Sequence, residues 1–505
     1  MSAATDSAVA RLESVLGANA IFVAKAANRE LYAIDGVAPT AFAKPASAAQ
    51  AAEIVRFAAK ENLSVIPVGA RTKLFCAPTP ARYDVALDLT ALDEVAHYDP
   101  ADLTVSVGAG MGLAKLNAML REQNQFLPLL VPYYTHATIG GAIAAGLDSP
   151  LRNAYGTARD FLLGAEFIDG TGNQIKSGGR VVKNVTGYDL HKLLVGSCGT
   201  LAVITRLNFR TFPIPETTQG FLAAFPTHET ALAARHKIIH SPLTPLTLDV
   251  LNAQAARLFD GPSNGAPVPQ IDGSHWYLFA EFSGNSDLLA RYKRELAEIA
   301  EQSQAGDMHI LEDPTAVAAL AARLRESIAH VREDLAAPVV VKLAMPPAHH
   351  VHAATVLQSV AGAANLPLAI IARASGPILI ATSLQPQNSP TELAGDAPSA
   401  SLFAREILTL ARSFGGRAQL VSAPLQFKAS YRAILSESLA SERTLAKRIK
   451  SAFDPNRLFP TLEAPAAPPT LPKSDTAPLP SPAPAPATQT DLPPSPPAPP
   501  PSTQS

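Results

Sequence analysis

Three glycine-rich stretches within the first 204 residues constrain the fold of this chain more than any other feature. The first, Pro67-Val68-Gly69-Ala70-Arg71-Thr72-Lys73, directly follows an apolar run that reads as a strand, Leu63–Pro67. A tight turn of small residues points successive backbone N–H groups inward and makes an anion-binding nest. Arg71, Thr72 and Lys73 add donors suited to a diphosphate, although a plain strand-ending turn reads equally well. The second stretch is Ala137-Thr138-Ile139-Gly140-Gly141-Ala142-Ile143-Ala144-Ala145-Gly146. Its paired glycines carry no Cβ, so the backbone can approach a ligand or a second backbone closely. The third runs from Gly178-Gly179-Arg180 through Lys183-Asn184-Val185-Thr186-Gly187-Tyr188-Asp189 to Gly196-Ser197-Cys198-Gly199-Thr200-Leu201-Ala202-Val203-Ile204. It joins a glycine-rich approach and a cation to an apolar strand that could lie along an adenine ring. Read alone, it is equally a loop leading into a core strand.

A chain of 505 residues is too long for one core and suggests about three domains of roughly 150 residues. The expected divisions are an N-terminal segment (1–40), a first folded region (41–213), a cap (214–420), a C-terminal helical segment (421–462) and a tail (463–505). Proline supplies 16 of the 43 tail residues, which predicts a disordered, partly polyproline segment unable to bury enough surface to order itself. In the first region Ser47 and Gln50 form a capping-box pattern ahead of a helix over Ala48–Ala59. Strands are expected at Val85–Leu89, Leu103–Val107 and Phe161–Asp169, with a helix over Leu113–Glu122. The cap has another rhythm. Strand-like runs Gly220–Phe225, Leu246–Leu251, Trp276–Phe282, Val339–Met345, Leu366–Ala372 and Ile378–Thr382 alternate with helices His228–Ile239, Ser286–Gln302, Ala348–Val360 and Ser401–Ser413. Two such units resemble split βαβ halves, which can join into one antiparallel sheet with helices on one face. Further helices are expected near Gln426–Leu435 and Glu442–Phe453. The class is α+β.

Composition narrows the function. With 41 basic and 43 acidic residues the charge is nearly balanced, which argues against nucleic acid as a main partner. Two cysteines, Cys76 and Cys198, can build neither a disulfide framework nor a cysteine-held iron–sulfur cluster. Electron transfer by this chain therefore calls for an organic cofactor or a partner. No signal peptide or membrane span is expected, so the cytoplasm is the default address.

In this order and spacing the three stretches resemble the FAD domain of the vanillyl-alcohol oxidase/p-cresol methylhydroxylase superfamily. The motifs ATIGG at 137–141, Tyr155-Gly156, Arg159-Asp160 and KNVTGYDL at 183–190 are similar to those of FAD-binding subunits of bacterial glycolate oxidases. The resemblance covers about 41–213, with an echo at Phe453-Asp454-Pro455-Asn456-Arg457-Leu458-Phe459-Pro460, where Phe459 stands in place of the usual asparagine. It implies a two-part FAD-binding domain, an antiparallel-sheet cap and FAD as cofactor. Pro67, Gly69, Ala70, Arg71, Thr72, Lys73, Thr138, Ile139, Gly140 and Gly141 would then hold the pyrophosphate. Gly146, Arg152 and Tyr155 would lie near the flavin, and Gly199 to Ile204, including Val203, near the adenine. The loop 67–73 has no histidine for covalent attachment, so FAD is expected to be non-covalent. The implied partners are a second, catalytic flavin subunit and an iron–sulfur subunit, which could hold the chain peripherally at the inner membrane. The implied substrate is a small 2-hydroxy acid.

Catalytic relatives carry a histidine-rich glycine turn in the cap, but the corresponding Ala372–Leu379 has none. Cys198 also stands where catalytic subunits usually have glutamate. No catalytic residue is assigned, and Arg373 reads as either a carboxylate clamp or a structural arginine. Three functions follow: an electron-transfer FAD subunit of a glycolate oxidase-like complex, a stand-alone flavin dehydrogenase for a 2-hydroxy acid or sugar-like alcohol, or a flavin-bound scaffold. Other motifs carry less. Val107-Gly108-Ala109-Gly110-Met111-Gly112 misses the last glycine of a dinucleotide fingerprint, Asn184-Val185-Thr186 is a sequon in a chain without a secretion signal, and His349-His350-Val351-His352 reads as a solvated helix start rather than a metal site.

Overall fold

A computed structural model describes residues 21–22, 26–180, 187–257, 269, 271, 273–335, 337–384, 398–436 and 440–461. Expectations for Lys183 and its sequon, for most of segment 1–40 before residue 26 and for the tail 463–505 fall outside the described residues.

Helix α1 (Ala48–Glu61) starts where the Ser47 hydroxyl accepts from the Gln50 amide at 3.2 Å. The Gln50 side chain accepts from the Ala46 amide at 2.8 Å, a capping box displaced by one residue. The buried face of α1 (Ala51, Ala52, Ile54, Val55, Ala58) covers a small sheet of β1 (Ala41–Ala43), β2 (Val65–Val68) and β3 (Val85–Asp88). β3 lies between β1 and β2 and is parallel to both, and Ile21–Phe22 pairs antiparallel with β1. Parallel neighbours need a crossover, and α1 supplies one.

A second sheet is antiparallel throughout: β4 (Val95–Asp99), β5 (Thr104–Gly108), β6 (Leu162–Ile168), β7 (Gln174–Gly178) and β8 (Val203–Arg210), in the order β4-β5-β8-β6-β7. Between β5 and β6 run α2 (Leu113–Arg121) and α3 (Ile139–Ala145). Two expectations change here. β4 was not anticipated, because its residues are exposed or half-buried and show no apolar alternation. The run from Phe161 divides, since Thr157 and Asp160 cap a helical turn over Ala158–Phe161 and the strand begins at Leu162.

The third sheet has eight strands, all antiparallel: β9 (Thr218–Phe225), β10 (Thr247–Leu251), β11 (Trp276–Ser283), β12 (Met308–Leu311), β13 (Pro338–Ala344), β14 (Leu368–Arg373), β15 (Pro377–Ser383) and β16 (Arg417–Ser422). Their order is β12-β9-β11-β10-β14-β15-β13-β16. Each half is strand–helix–strand–strand–helix–strand, and the halves join through β10 and β14, their second strands. Helices α4 (His228–Ile239), α5 (Ser286–Gln302), α8 (His350–Ala363) and α9 (Pro398–Ser413) bury their apolar stripes on one face, as the split-βαβ reading expects.

The opposite face is also covered, which the sequence reading did not foresee. Part of it packs against α6 (Pro314–Arg325), through Val317, Leu320 and Leu324. The rest meets α7 (Ser327–Asp334) and the second sheet in one shared core that includes Val340, Ala381 and Val421. Helix α6 was missed because alanines surround its few large apolar residues, and α7 because it is short and carries only Ile328 and Val331, so neither shows a clear 3.6-residue period.

After α10 (Leu425–Ser436) and α11 (Ala440–Phe453) the chain returns to the first region. The buried Asp454 carboxylate accepts from the Leu458 and Phe459 amides at 2.9 Å, and from Lys450 at 2.6 Å. Lys450 also donates to the Thr200 carbonyl at 2.6 Å, while Val65 N donates to Leu458 O at 2.8 Å. The N-terminal unit is thus completed by residues nearly 400 positions downstream of β2 (Val65 against Leu458).

Candidate functional site

The first two glycine stretches meet around Thr138. A Cβ on Gly69 would collide with Thr138 Oγ1, so the loop after β2 touches the start of α3. Within 137–146 the segment Ile139–Ala145 is helical, with Thr138 at the N-cap position but making no side-chain cap bond, and Gly146 left-handed at the end (φ 62°). The Ile139 and Gly140 amides are engaged by Met111 O (2.9 Å) and Ala109 O (2.8 Å). A Cβ on Gly140 would lie 2.7 Å from Ala109 Cβ, so this glycine serves backbone packing. Gly141 differs. Its added Cβ would meet only Thr138 Oγ1, at 3.1 Å, and its φ is not positive.

The third stretch closes on the same place. Gly196 N donates to Ile143 O at 3.0 Å and Cys198 N to Ala144 O at 2.8 Å, tying this turn to the end of α3. A Cβ on Gly146 would lie 2.6 Å from Gly196 Cα, and one on Gly199 would lie 3.0 Å from Pro67 Cγ. Pro67, Gly69, Thr138, Gly141, Gly146 and Gly199 therefore gather into one cluster. Val203 and Ile204 open β8 beside it, both buried. Within the cluster the Thr138 and Ser197 hydroxyls are buried and have no hydrogen-bond partner. Buried hydroxyls are rarely left unpaired, and the Thr247 hydroxyl on the large sheet is a further case.

The cations of the first loop are arranged differently from expectation. Arg71 is left-handed (φ 64°), and its guanidinium lies 4.8 Å from the Tyr32 ring centre and 3.5 Å from Asp88. Tyr32 donates to the same Asp88 at 2.6 Å, so Arg71 is spent on a structural triad. Lys73 is buried at 8% exposure beside Thr72 (3.3 Å), and burial lowers its pKa to about 8. Ala70, before Arg71, and Thr72, between the two cations, are half-buried.

Arg152 and Tyr155 stand apart, in the seam between the N-terminal unit and the eight-stranded sheet. The Tyr155 ring packs edge-on against Phe126 and Phe212, at 5.3 and 5.0 Å. Arg152 donates to Asp148 at 2.7 Å, and neighbouring Asn153 donates to Pro245 O at 2.8 Å across the seam. Beyond them, the face of the large sheet turned to the seam carries charges that the sequence reading passed over. Lys342 on β13 lies 2.5 Å from Asp148, outside hydrogen-bond alignment. Arg373 on β14 pairs with Asp249 on β10 at 3.2 Å, the two facing each other in register. This supports the structural reading of Arg373. Glu281 on β11 lies opposite Thr247, and burial raises its carboxyl to about 7, reinforced by Asp249 and opposed by Thr247. Asp148, Asp249, Glu281 and Lys342 had one visible signal: a lone charge within, or one following, an apolar run.

Two set-aside motifs also resolve. Gly108 and Gly110 pack against the Leu92 and Leu89 carbonyls, so the 107–112 run closes a chain crossing. His350 is fully buried, not solvated. It contacts Arg235 at 2.8 Å and the Gly376 carbonyl at 2.9 Å, and burial lowers its pKa to about 4.

A small, mostly parallel sheet, an antiparallel sheet, a glycine cluster between them and a large antiparallel sheet make up the architecture. Residues 39–178 match the FAD binding domain, and residues 214–417 match the C-terminal domain of FAD linked oxidases. The chain belongs to the FAD-linked oxidase family, and FAD is its cofactor. It is 36% identical over 227 residues to glycolate oxidase subunit GlcE of Escherichia coli (strain K12), covering 44% of this chain and 63% of that one. It is 27% identical over 292 residues to D-2-hydroxyglutarate dehydrogenase of Xanthomonas citri pv. viticola (strain LMG 965 / NCPPB 2475 / ICMP 3867 / CFBP 7660), covering 57% and 61%. The chain thus spans under two thirds of these relatives' lengths. The fold is that of p-cresol methylhydroxylase (TM-score 0.71, 15% identity, 90% of this chain and 96% of that one). The 4-ethylphenol oxidase from Gulosibacter chungangensis is similar too (TM-score 0.70, 16% identity, 90% and 96%). The expected resemblance to glycolate oxidase subunits is therefore met. No helix among the described residues is long and apolar enough to cross a membrane.

Proposed function

We propose that this chain is the FAD-binding, electron-transferring subunit of a glycolate oxidase-like complex that oxidises a small 2-hydroxy acid. One contrast carries the reading: the cofactor cluster presents unpaired donors, while Arg152, Lys342 and Arg373 in the seam are each paired with a carboxylate of the chain. The residues fit the cofactor. Thr138 and Ser197 offer buried hydroxyls, Gly141 leaves a bare approach, and Lys73 in the first loop is the candidate cation for the diphosphate. FAD, when bound, supplies a hydride acceptor able to release electrons singly. The chain's own part is to orient that group, exclude water from the seam and keep substrate-sized anions from its cations. Its partners in this reading are a catalytic flavin subunit and an iron–sulfur subunit, with attachment to a membrane only through them.

Purified protein is expected to be yellow and to release intact FAD on acid denaturation. Glycolate should reduce that flavin only when a co-expressed catalytic subunit is present. A colourless preparation that FAD cannot reconstitute would overturn the cofactor assignment. Rapid bleaching by glycolate in the isolated chain would favour a stand-alone dehydrogenase, for which Glu281, ionising near neutrality, is the candidate proton acceptor.

A further inference from the structure

The ion pairs of the seam are placed in an unusual way. Left-handed Gly146 ends α3 and turns the following residues toward the large sheet. Asp148 then presents one carboxylate oxygen to each of two cations: Oδ1 to Arg152 Nη1 at 2.7 Å and Oδ2 to Lys342 Nζ at 2.5 Å. The cations come from different units, Arg152 from the segment after α3 and Lys342 from β13. The Asp148 and Lys342 side chains are only 11% and 18% exposed, so solvent screens the pair weakly. One oxygen per cation, in a water-poor seam, is also how a small free carboxylate would be held. Nearby Arg373 is neutralised by Asp249 and adds no open cation.

We propose that Arg152 and Lys342 form a subsite for a small monocarboxylate that the chain fills with its own Asp148, which thereby bars such anions from the cofactor side of the seam. The inference rests on the accessory-subunit reading and deepens it, since it names the residue that keeps substrate out. Burial works against ionisation of Asp148, yet Lys342 and Arg152 outweigh it and hold the carboxyl below its usual range, so the plug stays charged at neutral pH. Without that carboxylate two partly buried cations face each other uncompensated, a strong recruiter of an anion.

The test uses the FAD-loaded full chain as wild type, Asp148→Ala and Asp148→Asn. Alanine opens carboxylate-sized space between the cations, whereas asparagine removes the same charge and keeps the space filled. Formate should raise the melting midpoint of Asp148→Ala at a half-saturating concentration at least about tenfold below any response of wild type or Asp148→Asn. Adding Lys342→Met to Asp148→Ala should abolish the gain. Glycolate should saturably perturb the flavin absorbance of Asp148→Ala and leave that of wild type unchanged. Equal formate responses in all three proteins would overturn the proposal by showing Asp148 to be a mere staple between units. Formate rescue without a flavin response to glycolate would also overturn it, since the subsite would not adjoin the cofactor. Should Asp148→Ala not fold, wild type decides: a saturable glycolate perturbation that Lys342→Met removes overturns the plug, and no perturbation supports it. FAD content is measured separately, so an absent cofactor refutes the functional reading, and formate melting still reports on the plug.

Discussion

The glycine cluster around Thr138 and the charged face of the large sheet meet in one molecule yet are built in opposite ways. The cluster is made of missing side chains: Gly69, Gly140, Gly146 and Gly199 each let another segment approach closer than a Cβ would allow. It leaves polar atoms unpaired, at Thr138 and Ser197. The sheet face is made of long charged side chains, and its cations are consumed internally, Arg373 by Asp249 and Lys342 with Arg152 by Asp148. Unmet donors invite a ligand, whereas closed pairs resist one. The separation is not complete, because the Thr247 hydroxyl on the sheet face is also buried without a partner.

The largest expected effect breaks the sheet face and spares the cluster. Arg373→Ala leaves Asp249, 1% exposed, without its ion-pair partner. Removing one member of a buried pair costs about 3–5 kcal/mol, so chemical denaturation should show a loss of that order. The folded fraction should keep its flavin, because Arg373 has no part in the Thr138 cluster. Unchanged stability with a sharp loss of substrate affinity in the assembled complex would make Arg373 a clamp after all.

Gly141→Val is the converse. The added Cβ meets only the Thr138 hydroxyl and otherwise points into open space, so the fold tolerates it. The branched side chain then occupies the room left for the cofactor, and FAD should bind about 100-fold more weakly, near 2.7 kcal/mol. Gly140→Val is the control for mere packing, since it should lower stability directly through Ala109. Wild-type flavin content in Gly141→Val would reassign the second stretch to packing.

These two regions also differ in how far the sequence reveals them. Gly69, Gly140, Gly141 and Gly199 stand out in the sequence as residue types, but the segments they approach, such as Thr138 for Gly69 and Pro67 for Gly199, do not. Helices α4 and α5 match their expected bounds, and Thr227 and Asn285 cap them, although buried His228 and Arg235 interrupt the apolar face of α4. The Asp249–Arg373 pair was not. Its members are 124 positions apart and meet only because β10 and β14 join the two halves of the sheet, a pairing no local pattern announces. Asp148–Lys342 was hidden for the same reason, with a second obstacle: it spans two units whose docking depends on α6 and α7. Those helices anchor the seam, where Glu326 accepts from the Tyr133 and Tyr134 amides (2.5 and 3.2 Å) and Arg332 lies 3.9 Å from the Phe75 ring centre. Arg71 shows the reverse failure. It was expected at the pyrophosphate, and the Tyr32–Asp88 pair it meets, which lies on both sides of it in sequence, carried no local signal.

The smallest expected effect concerns Glu281, where the sheet face carries a charge it does not close. The residue is 8% exposed, and burial lifts its pKa to about 7, against roughly 4.3 in an unfolded chain. Below about pH 4 both states hold the proton, and Glu281 leaves the folding equilibrium untouched. Between about pH 4.3 and 7 the unfolded chain releases the proton while the folded chain keeps it. The folded state then binds more protons, so stability falls as pH rises through this window, and the deficit stays constant above about 7. Glu281→Gln cannot ionise and should lack this loss. Compared by denaturant unfolding at pH 5 and pH 8, wild type should lose about 1–3 kcal/mol more than the variant over that interval. Asp249, also raised by burial, is coupled to Glu281, so the subtraction reports the titration that the Glu281 carboxyl adds to this pair. Parallel pH profiles would mean that Glu281 is solvated or paired in solution. The sheet face would then be as fully closed as its ion pairs suggest, leaving the stand-alone dehydrogenase without its candidate base.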